Sequence, residues 1–195
     1  LDSRLTAAHC VWVTMNEVRT LARHAVSVAH CPVSNMKLAS GGVAPVPEML
    51  QEKVAVGLGT DSPISNNTMD VFAEMKFAAL LHKSTRWDAR AMPAQTVLDL
   101  ATIGAAQALN VDREIGSIEV RKRADLAVVS LRGPHTTPFY PDNVISHLVY
   151  NCRGSDVQVT IVDGQVLMAD GVVRTVDEAE VVARAQETAR ELFEA

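Results

Sequence analysis

Three apolar segments of this sequence each lead to a side chain that can bind a metal ion or transfer a proton. These side chains are His9, His30 and Asp61. Two imidazoles and a carboxylate suit a divalent ion such as zinc, and a carboxylate beside such an ion can accept a proton from its bound water. If the three segments are neighbouring strands of a parallel sheet, their carboxyl ends meet at one edge and bring these side chains together.

Each of these residues also has a structural explanation. A histidine after an apolar run is more often a core or loop residue than a ligand, and an aspartate before Ser-Pro often forms a turn or helix cap. The sequence contains no HxH or HExxH motif, so the residues alone indicate only part of a metal site. The other four histidines are interpreted as structural or solvated: His24, His82, His135 and His147.

The first 110 residues alternate between short apolar runs and amphipathic stretches, a pattern typical of βαβ units and a parallel sheet. A T-x-x-E capping box at Thr14–Glu17 predicts a helix start. Residues 31–35 are interpreted as a break. We expect a helix over residues 68–83, capped by Asn66 or Asn67, and another from Pro93 to Leu109.

The remainder of the chain has a different pattern. Four short strands are predicted, at residues 124–131, 145–150, 156–162 and 165–175. The Asp-Gly pairs at 163–164 and 170–171 predict hairpins, so this sheet should be antiparallel. A final helix should begin after Asp177 and present an apolar face for docking.

Composition excludes several classes of partner. The net charge is −5 and no run of Lys or Arg of useful length occurs, which argues against nucleic acid. No stretch approaches 18 apolar residues, so no membrane span is expected. Three cysteines without CxxC spacing fit a reducing cytoplasm. Because the sequence opens at Leu1 without a methionine, we expect a piece of a longer polypeptide.

Three segments of the sequence resemble a known family: TAAHCVWV, SVAHCPVSNMKLASGGVAPVPEML and VAVGLGTDSPISNNTMDVFAEMKFAALL. They are similar to the amidohydrolase superfamily and its chlorohydrolase-like branch, particularly the 5-methylthioadenosine/S-adenosylhomocysteine deaminases. The resemblance implies an α/β fold, namely the C-terminal part of a TIM-type (β/α)8 barrel, units six to eight. Part of a small antiparallel β-sandwich and a C-terminal helix would follow, with domains at residues 1–112, 113–176 and 177–195.

The resemblance also implies roles for individual residues. Asp61 resembles the strand-eight aspartate that binds the metal and acts as general base. His9 resembles the strand-six histidine that contacts the attacking water or the developing tetrahedral centre. Substrate-binding positions are implied at His30, Ser34, Asn35 and Asn66, although a helix cap explains Asn66 equally well.

The implied reaction is hydrolytic deamination of an adenosine-like purine nucleoside with one divalent metal, zinc first and iron or manganese as alternatives. The family's HxH, strand-five histidine and proton-shuttling glutamate are not in this chain. We therefore expect a missing N-terminal half of the barrel, an inactive chain when alone, and a homo-oligomer when complete. Alternatives are a guanine or 8-oxoguanine deaminase, a triazine chlorohydrolase, an amide-ring hydrolase, or a truncated product without catalysis.

Overall fold

The computed structural model describes residues 1–194, which form two compact units. The first unit contains residues 1–122 and 131–154. The second unit contains residues 123–130 and the chain from residue 155 onward. Each unit is thus assembled from two separate segments of the chain. The predicted domain boundaries after residues 112 and 176 stay predictions, but residues 131–154 cluster with the first unit.

The first unit is organised around a three-stranded parallel sheet. Its strands are β1 (Thr6–Ala8), β2 (Ser27–His30) and β3 (Val56–Leu58), in the spatial order β1-β2-β3. Val28 and Val56 are almost fully buried, as expected for parallel strands covered by helices. The predicted parallel sheet is therefore confirmed.

Eight helices belong to the first unit. They are α1 (Met15–Arg23), α2 (Pro32–Lys37), α3 (Val46–Gln51), α4 (Pro63–Asn66), α5 (Val71–Arg86), α6 (Ala94–Ala101), α7 (Ile103–Ala108) and α8 (Val144–Tyr150). Helix α1 begins at the predicted capping box, in which Thr14 and Glu17 exchange hydrogen bonds. Short 3-10 turns occur at residues 134–136 and 141–143.

Two helix starts differ from the sequence prediction. Residues 31–35, interpreted as a break, contain the first turn of α2, because Pro32 occupies a first-turn position where its missing N–H costs nothing. Helix α5 is capped by Asp70, whose side chain accepts a hydrogen bond from the Phe72 N–H. Asn66 instead ends α4, and Asn67 follows it in a left-handed conformation.

Two further helical segments were also predicted incorrectly. The segment at 145–150 was expected to be a strand, but it is helix α8, whose residues His147 and Val149 are buried. Helix α8 packs against α5 and α6, so tertiary packing overrides the β-propensity of its branched residues. The single helix expected over residues 93–109 is two helices, α6 and α7, separated at Thr102.

The core of the first unit lies between the sheet and the surrounding helices. Its buried residues are mainly aliphatic: Val18, Val28, Ala44, Val46, Met49, Val54, Val56, Met75, Ala78, Ala79, Met92, Val97, Leu100 and Val149. Helix α7 approaches the sheet very closely at Gly57, where an added Cβ would lie 2.7 Å from the Ala105 Cα. Gly57 thus permits backbone contact between β3 and α7.

The second unit contains a four-stranded antiparallel sheet. Its strands follow chain order: β4 (Leu126–Val129), β5 (Val157–Val162), β6 (Gln165–Ala169) and β7 (Val172–Val173). The two hairpin turns are those predicted at the Asp-Gly pairs. Both residues of each pair have positive φ, which is the requirement of a type I′ turn.

Helix α9 (Glu178–Phe193) completes the second unit and begins after Asp177, as predicted. The Asp177 side chain accepts a hydrogen bond from the Glu180 N–H. Its apolar residues Val182, Leu192 and Phe193 are exposed, and no residue of the described helix is buried. No helix within residues 1–194 is long and apolar enough to span a membrane. The architecture is that of an α/β protein, as expected.

Candidate active site

The loops that follow β1 and β3 bring His9 and Asp61 close together. The His9 Nε2 lies 3.9 Å from the Asp61 Oδ2, and both side chains are partly open to solvent. Both residues adopt left-handed backbone conformations, with φ of 66° and 59°. Such conformations are uncommon for residues other than glycine and often occur at functional sites. The convergence predicted for these two side chains is therefore present in the structure.

Hydroxyl groups surround one oxygen of the Asp61 carboxylate. The Ser34 Oγ donates to Asp61 Oδ2 at 2.6 Å, and the Ser65 Oγ donates to the same atom at 2.7 Å. These two bonds, together with a bond from the Ser62 backbone, lower the pKa of Asp61 from 3.8 to about 2. Asp61 is therefore ionised at neutral pH, as a metal ligand or general base must be.

A second hydrogen bond fixes the ring of His9. The His9 Nδ1 lies 2.9 Å from the Asn35 Oδ1, so Nδ1–H is the donor and the neutral ring carries its lone pair on Nε2. That nitrogen is the one that faces Asp61. Ser34 and Asn35 are adjacent residues of α2, so this one helix orients both His9 and Asp61.

The ring of His30 contacts a second buried histidine. Its ring is 1% exposed, and its Nε2 lies 3.3 Å from the Nε2 of His82 on α5. Burial, followed by repulsion from His82 and His9, lowers the pKa of His30 to about 3. The pKa of His82 is lowered to about 4, mainly by burial. Neither ring has a partner for its Nδ1 among the described residues.

A cavity of about 250 Å³ lies beside this histidine pair. His30, Asn35 and Leu81 contribute to its lining, together with the segment 39–44. A substrate-binding role for His30 stays a prediction, since its polar contact is with His82 and not with the Asp61 pair.

Asn66 is held inside the protein. Its Nδ2 donates to the Thr60 carbonyl and to the Glu74 Oε1, each at 2.6 Å. Its Oδ1 accepts a hydrogen bond from Thr68. Both amide hydrogens are thus used within the chain, and a contact between Asn66 and a substrate stays a prediction.

The sequence interpretation did not identify two residues that shape this site. Ser65 contacts Asp61 directly, and Glu74 is fully buried on α5. Ser65 lies in α4 and cannot be distinguished from a helix-cap serine by residue type alone. Glu74 carried a usable signal, because it lies on the same helix face as Ala78, a position where a charged residue is unexpected.

His9 and Asp61 have the chemistry of metal ligands. An ionised carboxylate and a neutral imidazole nitrogen are both donors that zinc accepts. Within residues 1–194, however, no group of three or more His, Cys, Asp or Glu side chains is placed to hold a metal ion. The pair therefore fits as part of a metal site and does not form a complete one.

Comparison with sequence families and characterised relatives gives a consistent result. The profile described as "Amidohydrolase family" matches residues 1–167. A 5-methylthioadenosine/S-adenosylhomocysteine deaminase from Moorella thermoacetica is 50% identical over 184 residues, which is 94% of this chain and 42% of the relative. A 5'-deoxyadenosine deaminase from Methanosarcina mazei is 48% identical over 186 residues, covering 95% of this chain and 42% of the relative. The chain thus spans less than half the length of these relatives.

Solved structures show the same relationship. An adenosine deaminase from Xanthomonas campestris with bound zinc superposes with a TM-score of 0.94 at 37% identity, covering 100% of this chain and 44% of that protein. An atrazine chlorohydrolase from Arthrobacter aurescens complexed with zinc superposes with a TM-score of 0.86 at 25% identity, covering 95% of this chain and 41% of that protein.

Proposed function

This chain belongs to the amidohydrolase family, and from that premise we propose that it forms the C-terminal portion of a metal-dependent aminohydrolase. The proposed reaction is hydrolytic deamination of an adenosine-like purine of the 5-methylthioadenosine or S-adenosylhomocysteine type. The observation that carries the proposal is the Asp61–His9 pair, held at the carboxyl ends of parallel strands by one helix. The names of the relatives at 48–50% identity support the substrate class.

In this proposal β1, β2 and β3 are strands six, seven and eight of a (β/α)8 barrel, and β4 to β7 are part of a β-sandwich. Three parallel strands do not close a barrel. A further barrel portion, comparable to the part of the relatives that this chain does not match, would complete the sheet and supply the other metal ligands. This chain alone would then be inactive and would bind zinc weakly.

The proposed metal is a single divalent ion, with zinc favoured by the zinc-containing structures and iron or manganese as alternatives. Such an ion, when bound, lowers the pKa of a coordinated water towards neutrality. Asp61 would help to hold the ion and would accept the proton of the attacking water through its carboxylate. Its low pKa keeps that carboxylate ionised for both tasks.

His9 would stabilise the oxygen that becomes negatively charged at the amine-bearing ring carbon. Because its Nδ1–H is donated to Asn35, its Nε2 can donate a hydrogen bond only when the ring carries a second proton. The Nε2 atom of His9 can therefore accept a hydrogen bond when the ring is neutral and donate one when the ring is protonated. Ser34 and Asn35 support these roles through their contacts, while His30 and Asn66 remain proposed substrate-pocket residues.

A chimera tests this function. The part of the Moorella relative that precedes its matched region would be fused to this chain, and ammonia release would be measured with 5-methylthioadenosine, S-adenosylhomocysteine and 5'-deoxyadenosine. We expect turnover by the chimera, none by this chain alone, and none by an Asp61→Asn chimera. A folded, zinc-loaded chimera that acts on none of these substrates, beside an active Moorella control, would refute the proposal.

The same chimera separates the alternative reactions. Because the chain is structurally similar to atrazine chlorohydrolase at 25% identity, atrazine should be tested as a triazine substrate. Guanine should be tested as the substrate of the guanine deaminase alternative. Preferential turnover of atrazine or guanine would change the substrate class but keep the enzyme family. A truncated product without catalysis would be indicated if the folded chimera turned over none of these substrates while the Moorella control stayed active.

Two further properties of the complete protein are proposed. Cys10, Cys31 and Cys152 form no disulfide within the described residues, which fits a reducing cytoplasm. We also propose a homo-oligomer for the complete protein, which size-exclusion chromatography with light scattering of the chimera would test. A monomer at micromolar concentration would contradict it.

A further inference from the structure

We propose that Glu74 is a positioning residue for Asp61, acting from behind the site through both segments that surround that carboxylate. The importance of Asp61 rests on the proposed function, but the positioning itself can be tested without turnover. Glu74 lies on α5 and is fully buried, and its carboxylate accepts hydrogen bonds from Asn66 and Val33.

Each carboxylate oxygen of Glu74 accepts a hydrogen bond from a different segment of the chain. Oε1 accepts from the Asn66 Nδ2 at 2.6 Å, and Oε2 accepts from the Val33 backbone N–H at 3.3 Å. Val33 lies in the first turn of α2, where backbone N–H groups have no partner within the helix. Glu74 therefore joins α5 to the start of α2 and to the end of α4.

Both connections lead to Asp61. The residue after Val33 is Ser34, whose Oγ donates to Asp61 Oδ2. The second hydrogen of the Asn66 amide is donated to the carbonyl of Thr60, the residue before Asp61. The bond to Val33 thus holds the segment that carries the Ser34 hydroxyl, and the bond to Asn66 holds the backbone next to Asp61.

Only an acceptor at both oxygens satisfies this arrangement. Both partners of Glu74 are N–H donors, so an ionised carboxylate fits and an amide does not. The pKa of Glu74 is raised overall, because burial and repulsion from Asp70 outweigh the hydrogen bonds from Asn66 and Val33, which lower it. A fully buried carboxylate is uncommon and costly in a purely structural helix. A role in fixing the adjacent loops accounts for its presence.

Glu74→Gln is the critical substitution, because it keeps the volume and places an NH2 group against one of the two donors. Met75→Ala is the matched control, since Met75 is the adjacent buried residue of the same helix and removes only apolar contacts. Asn66→Ala is a second test variant that breaks the Thr60 connection and leaves the Val33 connection in place.

Amide hydrogen exchange on this chain is the first measurement. We expect the Val33 amide to exchange about tenfold faster in Glu74→Gln, as loss of a hydrogen bond to a charged group allows, and segment 60–66 to lose protection too. Asn66→Ala should affect segment 60–66 but not Val33, and Met75→Ala should affect neither selectively. Equal protection at Val33 and at 60–66 in wild type and Glu74→Gln would overturn the positioning role.

Zinc affinity and kinetics of the chimera are the second measurement. Loss of a group that hydrogen-bonds a metal ligand reduces metal affinity or activity by roughly 10- to 100-fold. Glu74 acts one residue further out, so we expect Glu74→Gln to lower zinc affinity or kcat by about tenfold, at the low end of that range, with little change in KM. Met75→Ala, measured where it is fully folded, should retain both values. If the wild-type chimera lacks turnover, the proposed function fails, while hydrogen exchange still decides the role of Glu74. A change in KM alone would contradict this proposal.

Discussion

Replacing His82 by glutamine should reduce the sensitivity of this protein to mild acid. His82 and His30 are almost completely buried and face each other at 3.3 Å. Their pKa values are lowered to about 4 and about 3, mainly by burial, from an ordinary value of 6.5. Arg86 and Glu48, which pair with each other, act on His82 with opposite signs, and His9 adds to the shift at His30.

The sign and size of the effect follow from proton linkage. Both rings stay neutral in the folded protein but take up protons in the unfolded chain when the pH falls below 6.5. The pair therefore reduces stability little at pH 7 and above, and increasingly as the pH falls from 6.5 towards 4 and 3. One such histidine lowers the free energy of unfolding by about 0.2 kcal/mol at pH 7 and by about 2 kcal/mol at pH 5. The pair should therefore cost about 4 kcal/mol at pH 5.

Urea unfolding at pH 7 and pH 5 measures this loss. The pH-dependent decrease should be smaller in His82→Gln than in wild type by about 2 kcal/mol, because glutamine does not titrate. His24→Gln is the control, since His24 is exposed at the end of α1, and its decrease should match wild type. An equal decrease in His82→Gln and wild type would show that His82 takes up no proton on unfolding and would refute this reasoning.

Three further substitutions probe other parts of the structure. Ser34→Ala removes the principal cause of the low pKa of Asp61 and should raise that pKa from about 2; a carboxyl-carbon NMR titration would show this, and an unchanged midpoint would contradict it. Gly57→Ala would force a Cβ to 2.7 Å from the Ala105 Cα and should destabilise the first unit by about 1–3 kcal/mol in urea unfolding. Gly164→Ala should cause no such steric clash, because an added Cβ there meets no atom within 4 Å. Asp177→Ala removes the cap of α9 and should reduce its stability by about 1 kcal/mol, seen as lower helical circular dichroism; full retention of helicity would count against the cap.

The features that sequence predicted correctly depend on local chemistry. The capping box at Thr14–Glu17 and the two Asp-Gly turns each require particular residue types at fixed spacing. The strand ends at His9 and Asp61 were identifiable because buried parallel strands are short apolar runs that stop at polar residues. These signals fixed the sheet and the location of the Asp61–His9 pair.

The features that sequence did not predict depend on long-range contacts. Residues 144–150 are rich in branched apolar side chains, and their helix is determined by packing on α5 and α6. Glu74 accepts hydrogen bonds from Asn66, eight residues before it, and from Val33, 41 residues before it. The pairing of His30 with His82 likewise spans 52 residues. No local pattern encodes these partners.

The discontinuity of the second unit has a consequence for synthesis and for dissection of the protein. Strand β4 pairs with β5, but residues 131–154, which lie between them in sequence, belong to the first unit. At a synthesis rate of about 5–20 residues per second, β5 would be made roughly one to six seconds after β4. During that interval the unpaired edge of β4 can bind a chaperone or aggregate with other chains. A single proteolytic cut cannot separate the two units, so each must be isolated, if at all, by rejoining distant segments.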